Sequence, residues 1–263
     1  GSLNWFTVDS LTATYIGPSN LVPGTIILAK EDTSVISWAI EKGGILANGT
    51  PAAARILAFP LPGYSSYPAS VLTNEGWAFF DAAVAWLGAA PSEFTGSAAL
   101  VASNTGLTIG FDGAIFDRLI SLGYDVEVVT SAAVKDGSFS IDDAESKDLL
   151  VISESIGSGD VVTLAGAAVP MLHMESFGWS KMGWQIAGNR GWTGQLAGDI
   201  DIADVRHTVL SKAGLSAGSL NWFTVDSLTA TYIGPSNLVP STIILAKEDT
   251  SVISWAIEKG GIL

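Results

Sequence analysis

Between Ser97 and Met174, short apolar runs alternate with apolar residues at helical spacing, and this is the clearest pattern in the chain. Ser97–Ser103, SAALVAS, is almost wholly small and apolar and predicts a strand buried on both faces. Phe111, Ile115, Leu119 and Leu122 then recur on one helix face, and Gly123 stands where a C-terminal cap belongs. Asp125–Thr130 (DVEVVT) predicts a second strand, Ile141–Ala144 a helical turn, and Asp148–Ser153 (DLLVIS) a third strand. After a turn at Gly157–Asp160 come a short helix over Val161–Ala165 and a fourth strand over Val169–Met174. Strands alternating with helical segments predict an α/β fold with a largely parallel sheet.

The remaining pattern is richer in strands. Leu220–Asp226, Thr242–Lys247, Val252–Ile257 and Ala54–Phe59 all read as strands. Leu72–Leu87 reads as a helix, with Trp77, Phe80, Val84 and Leu87 on one apolar face. Thr73 is its expected N-cap, and Glu75 in the first turn suits the positive end of the helix dipole. The helix runs out into Ala89–Gly96, AAPSEFTG, a Pro/Ser/Gly stretch of the kind that separates domains.

A long internal repeat reorganises this picture. Gly1–Leu46 and Gly218–Leu263 are identical at 45 of 46 positions, offset by 217 residues, with Ser241 in the place of Gly24. A period of 217 far exceeds that of solenoid repeats, so each unit is expected to be a whole globular domain in a tandem array. With the boundary near Ser97, residues 1–95 read as the C-terminal part of one unit and residues 97–263 as the N-terminal part of the next. The domain pattern is therefore read in permuted order, as an α/β sandwich whose halves lie on either side of a repeat boundary.

Composition narrows the function. Apolar residues make up 48% and charged residues 14%, against about 25% charged in ordinary domains, which excludes disorder. A net charge of −14 argues against nucleic acid and against anionic membrane surfaces as partners. The chain has no cysteine, so thiolate metal sites, disulfides and a cysteine nucleophile are out. Mean hydropathy is high, at +0.41, but the most apolar uncharged stretch, Val161–Met174, has 14 residues and contains Pro170. A spanning helix needs about 20, so no membrane insertion is expected.

The segments GYDVEVV, KDLLVISESIGSGDV, AVPMLHMES and LTNEGWAFFDAAVAWLGAA, from Gly123, Lys147, Ala168 and Leu72 onward, resemble class I glutamine amidotransferase-like domains. The domains they resemble are the ThuA-like repeat domains of secreted bacterial proteins, and the resemblance covers most of the 217-residue unit in permuted order. The resemblance implies a flavodoxin-like sandwich. It carries no activity across, because amidotransferases of this class use a cysteine that this chain lacks.

Candidate chemistry is sparse. No G-x-S-x-G elbow is present, and no triad is recognisable, so the chain is read as a non-enzyme with no cofactor and no metal. In an open α/β sheet a ligand site belongs at the carboxyl ends of the strands, which carry Ser103, Asn104, Ser153, Glu154, Ser155, Asp160, Glu175 and Ser176. Asn104, Glu154, Ser155, Asp160 and Glu175 form the candidate cleft, with Glu154 and Glu175 as possible paired carboxylates of a glycosidase type. The plainer alternative is that both acids are solvated or accept backbone N–H bonds. His173, inside an apolar strand, is expected to be packed, and His207 to cap or pair. Asp199, Asp201 and Asp204 have oxygen-rich spacing for calcium but fit a solvated strand edge better. The Gly157–Gly159 turn is a weak phosphate cradle, without the Walker lysine.

Trp179, Trp184 and Trp192 with Arg190 lie in a Gly-rich segment and form a candidate contact surface. Core burial of the tryptophans is an equal alternative. Taken together, these features predict a structural tandem-repeat block of a bacterial extracellular or cell-surface filament or array. Its expected partner is itself, through domain contacts or segment exchange. The alternative is a ThuA-like surface domain that binds or acts on carbohydrate.

Overall fold

A computed structural model describes residues 21–31, 34–59, 61, 72–88, 96–179, 181–184, 199–202, 208–214, 218–221, 243–248 and 251–256. Its parallel strands are β3 (Ile56–Ala58), β4 (Gly96–Ala102), β5 (Tyr124–Thr130), β6 (Leu149–Ile152) and β7 (Met171–His173). They lie in the order β5-β4-β6-β7-β3, and each neighbouring pair is parallel. Counted from β4, this is the 2-1-3-4-5 order of flavodoxin-like sheets. Its fifth strand, β3, comes from the segment that precedes β4 in the chain. The fold class is thus α/β and flavodoxin-like, and the permuted reading holds at the level of strand order.

Both faces of this parallel core are covered, which is why β4 and β6 are continuous apolar runs rather than alternating ones. Helix α1 (Asn74–Leu87), helix α2 (Asp112–Ser121) and the short α5 (Thr208–Lys212) cover one face, burying Phe79, Val84, Ile115, Leu119 and Leu210 among others. Helices α3 (Ser131–Asp136) and α4 (Ile141–Glu145) and the turn at Val162–Leu164 cover the other, with the loop that carries Trp179 and Trp184. Thr73 caps α1 by accepting from the Gly76 N–H at 3.2 Å, as expected. The apolar face of α1 is wider than its spacing predicts. Phe79, Ala83 and Trp86 are buried with Phe80, Val84 and Leu87, while Trp77 is only partly buried beneath the Arg118 guanidinium. Arg118 donates twice to Asp81, at 2.7 Å from Nε, and ties α2 to α1.

Beyond β3 the sheet turns antiparallel. β1 (Ile26–Glu31) and β2 (Ser34–Ile40) form a hairpin, β2 pairs with β3, and β1 pairs with β8 (Asp199–Ile202), which pairs with β9 (Gly218–Asn221). β8 is therefore an interior strand, not the edge strand expected at Asp199 and Asp201. A separate two-stranded sheet consists of β10 (Ile243–Glu248) and β11 (Ser251–Ala256), the second copies of β1 and β2.

Gly88 and Gly96, on either side of the expected repeat boundary, are both close-packed. A Cβ at Gly88, just past α1, would lie 2.8 Å from the Tyr124 hydroxyl, and one at Gly96, opening β4, would lie 2.9 Å from the Tyr124 ring. The two flanks of the expected repeat boundary therefore meet on a single side chain. Gly96→Ala is expected to lower stability by about 1–3 kcal/mol, the usual range for overpacking. Chemical denaturation followed by circular dichroism would measure it, and relief of the loss in a Gly96→Ala/Tyr124→Leu double variant would tie it to this contact.

Candidate functional site

The strand order reverses between β4 and β6, so the carboxyl ends of those strands form the crevice where ligands sit in open α/β sheets. Ser153 follows β6 and donates from Oγ to Asp112, the first residue of α2. The Ser153 Oγ also accepts from the Ser155 N–H at 3.1 Å, and the Ser155 Oγ accepts from the Ser103 N–H at 3.1 Å. Asn104 bonds to the Ser103 Oγ at 3.2 Å and accepts from Thr108 at 3.4 Å. A chain of short polar residues thus closes the β4 and β6 ends onto each other. Asp112 is fully buried, and burial raises its pKa against the lowering effect of the Ser153 and Ser155 hydroxyls. No motif marks Asp112 in the sequence. Its one signal is an acid in the first turn of a helix that follows a buried strand.

Glu154 and Glu175 each lie two residues beyond the last register pair of β6 and β7. Ile152 is the register partner of His173, and the Met174 N–H continues the ladder to the Ile152 carbonyl at 2.9 Å. This register brings the two acids to matching positions, as a carboxylate pair requires. However, Glu154 is only 7% exposed and Glu175 only 4%, so neither stands open to solvent. The Glu175 carboxylate accepts from the Phe177 N–H at 2.9 Å, which is the backbone-accepting role of the plainer alternative. Two cavities, of about 290 and 300 Å³, lie elsewhere. The first is lined by Asn48, Thr50, Met171 and Trp184, and the second by Glu41, Arg55, Trp86 and Lys212.

Asp160 does not join the crevice. It pairs with Lys135 at 3.0 Å and accepts from the Ser131 hydroxyl at 3.3 Å, and the Lys135 bond leads the effects that lower its pKa. Its carboxylate also lies against Gly157, where a Cβ would be 2.7 Å from Oδ2. An anion already faces the Gly157–Gly159 turn, which makes it a poor phosphate cradle.

Trp179 and Trp184 are core residues, which corrects the contact surface expected for them. They pack edge-on against Trp38 of β2, with ring centroids at 5.3 and 6.2 Å. The loop folds over the sheet because this indole cluster removes large apolar areas from water. Arg190, Trp192, Asp204 and His207 lie outside the described residues. His173 is fully buried, edge-on to Trp184 at 5.1 Å, and neither ring nitrogen has a hydrogen-bond partner among the described residues. Burial lowers its pKa to about 3, so it is a neutral packing residue at ordinary pH. Among the described residues no group of three or more His, Asp or Glu is placed to hold a metal ion, and no helix is long and apolar enough to cross a membrane.

Fold and crevice together define a permuted flavodoxin-like domain with a buried polar crevice. No family model matches the chain, and no curated protein does. Among solved structures, that of IMPa from Pseudomonas aeruginosa in complex with an O-glycopeptide is similar over 83% of this chain and 21% of its own. The identity is 18% and the TM-score 0.36, a likeness too low to carry an argument about fold or function. The chain spans about a fifth of the length of that protein.

Proposed function

We propose that the chain is a structural building block: a little more than one period of a tandem array of amidotransferase-like domains at a bacterial cell surface or in an extracellular filament. Contacts between copies carry its function. The observation behind this reading is the 46-residue segment present twice at an offset of 217 residues, both copies of which form the same hairpin. The 2-1-3-4-5 strand order completed by β3 supports a unit whose start lies near Ser97 and whose halves span the repeat boundary, residues 1–95 belonging to one unit and 97–263 to the next. The buried, backbone-bonded crevice also favours a scaffold over a site that turns over substrate.

The test is light-scattering mass against concentration, with negative-stain images of the same samples. Mass that grows with concentration, with filaments or rings in the images, is the expected result. A mass constant at 27.2 kDa across the range would overturn the reading.

A further inference from the structure

The two copies of the repeated segment compete for one place. Each of the five register pairs of β1–β2, from Ile26↔Ala39 to Glu31↔Ser34, recurs in β10–β11 at 217 residues further on, with the same two irregularities. β1–β2 is inserted in the large sheet, paired with β3 on one side and β8 on the other. Among the described residues β10–β11 is paired only within itself, and β11 runs beside β1. Resting on the building-block reading, we infer that the gap between β3 and β8 is a receptor site for this hairpin. Its partner is a second copy of this chain, whose β10–β11 enters in place of the resident β1–β2.

The fit is set by identity of sequence. Trp255 takes the position of Trp38 between Trp179 and Trp184, and Ser254 that of Ser37, whose hydroxyl donates to the Ala58 carbonyl at 2.6 Å. Exchange conserves the register, so it is a near-balanced swap of one strand pair for another. The one differing position sets its direction. Gly24, in the turn before β1, has φ +83°, a left-handed conformation that a serine adopts only at a cost. Ser241 therefore disfavours the second copy by roughly tenfold, and the first copy is the resident. A donor hairpin entering an acceptor leaves the acceptor's own β10–β11 free to enter the next molecule. The contact is head-to-tail and builds an open chain or a ring.

The absence of cysteine allows a direct test in the full chain. Ala29 and Ile202 are register partners across β1 and β8, and Ala246 is the second-copy equivalent of Ala29. Antiparallel partners lie about 4.5–5.5 Å apart between Cα atoms, within disulfide range. Ala29→Cys/Ile202→Cys is the reference and is expected to give an internally bridged monomer on mild oxidation. Ile202→Cys/Ala246→Cys is expected to give a ladder of covalent multimers on non-reducing gels. The ladder should strengthen with concentration, and by roughly tenfold at low occupancy when Ser241→Gly is added. Asp201→Cys/Lys247→Cys reads the adjacent register pair if the first variant folds poorly. No bridge in either second-copy pair while the reference closes, or a bridged monomer only, would overturn the exchange. Particle mass that still grows with concentration in that case would leave the building-block reading in place; a constant mass would remove both.

Discussion

Alanine at Trp38 is expected to cost the chain about 1–2 kcal/mol, and alanine at Trp38 and Trp255 together about 3–5 kcal/mol. Trp38 is fully buried in the indole cluster, so its truncation would ordinarily carry the full cost of a large core cavity. This chain holds a replacement. When the first copy is weakened, the second can occupy the gap with Trp255, and the loss stops at the penalty of placing Ser241 in the left-handed turn. Trp255→Ala alone should change little, because the resident copy is untouched. Guanidinium unfolding followed by far-ultraviolet circular dichroism would read all three variants. The diagnostic quantity is the coupling between the two positions. Additive effects, with Trp38→Ala bearing the whole loss, would refute the competition.

Stability should also fall steeply as the solution is acidified below pH 6.5. In the folded chain burial lowers the His173 pKa to about 3, whereas in the unfolded chain it returns to the ordinary 6.5. Between those values the unfolded state binds a proton that the folded state refuses, so the stability present above pH 6.5 is lost as pH falls. Over the full window the loss is about 5 kcal/mol, from about 1.4 kcal/mol for each pH unit. Asp112 acts in the opposite sense lower in the range, because its raised pKa makes the folded chain bind a proton before the unfolded one does. His173→Leu should remove one proton from the slope of stability against pH between 6 and 4. An unchanged slope in that variant would show that the imidazole is not the group responsible.

What the chain discloses in sequence depends on how local each signal is. β4 and β6 were legible because a strand covered on both faces must be apolar throughout, and α1 because Thr73 and its apolar spacing sit within one segment. The α3 helix escapes because its six residues are too few for periodicity, although Thr130 caps it and Gly137 closes it in the left-handed region. Trp179 and Trp184 could be read as surface or core because their burial depends on Trp38, which lies far away in sequence. The same holds for Asp112, whose partner Ser153 lies 41 residues further on. The interior position of β8 depends on a hairpin from the first copy, and nothing within GDIDIAD announces that partner. The matched positions of Glu154 and Glu175 follow from the spacing of their strands, but their burial does not.

The meeting of Gly88 and Gly96 on Tyr124 has a mechanical consequence for an array of such units. In the proposed array, with the unit boundary near Ser97, both ends of a unit would leave the domain beside Tyr124, at one corner. A load along such an array would pull apart two adjacent points, the end of α1 and the start of β4. Opening one unit of 217 residues would release about 720–780 Å of extended chain, at about 3.3–3.6 Å per residue. The array would behave as a compact cord with a large reserve of length, paid out one domain at a time.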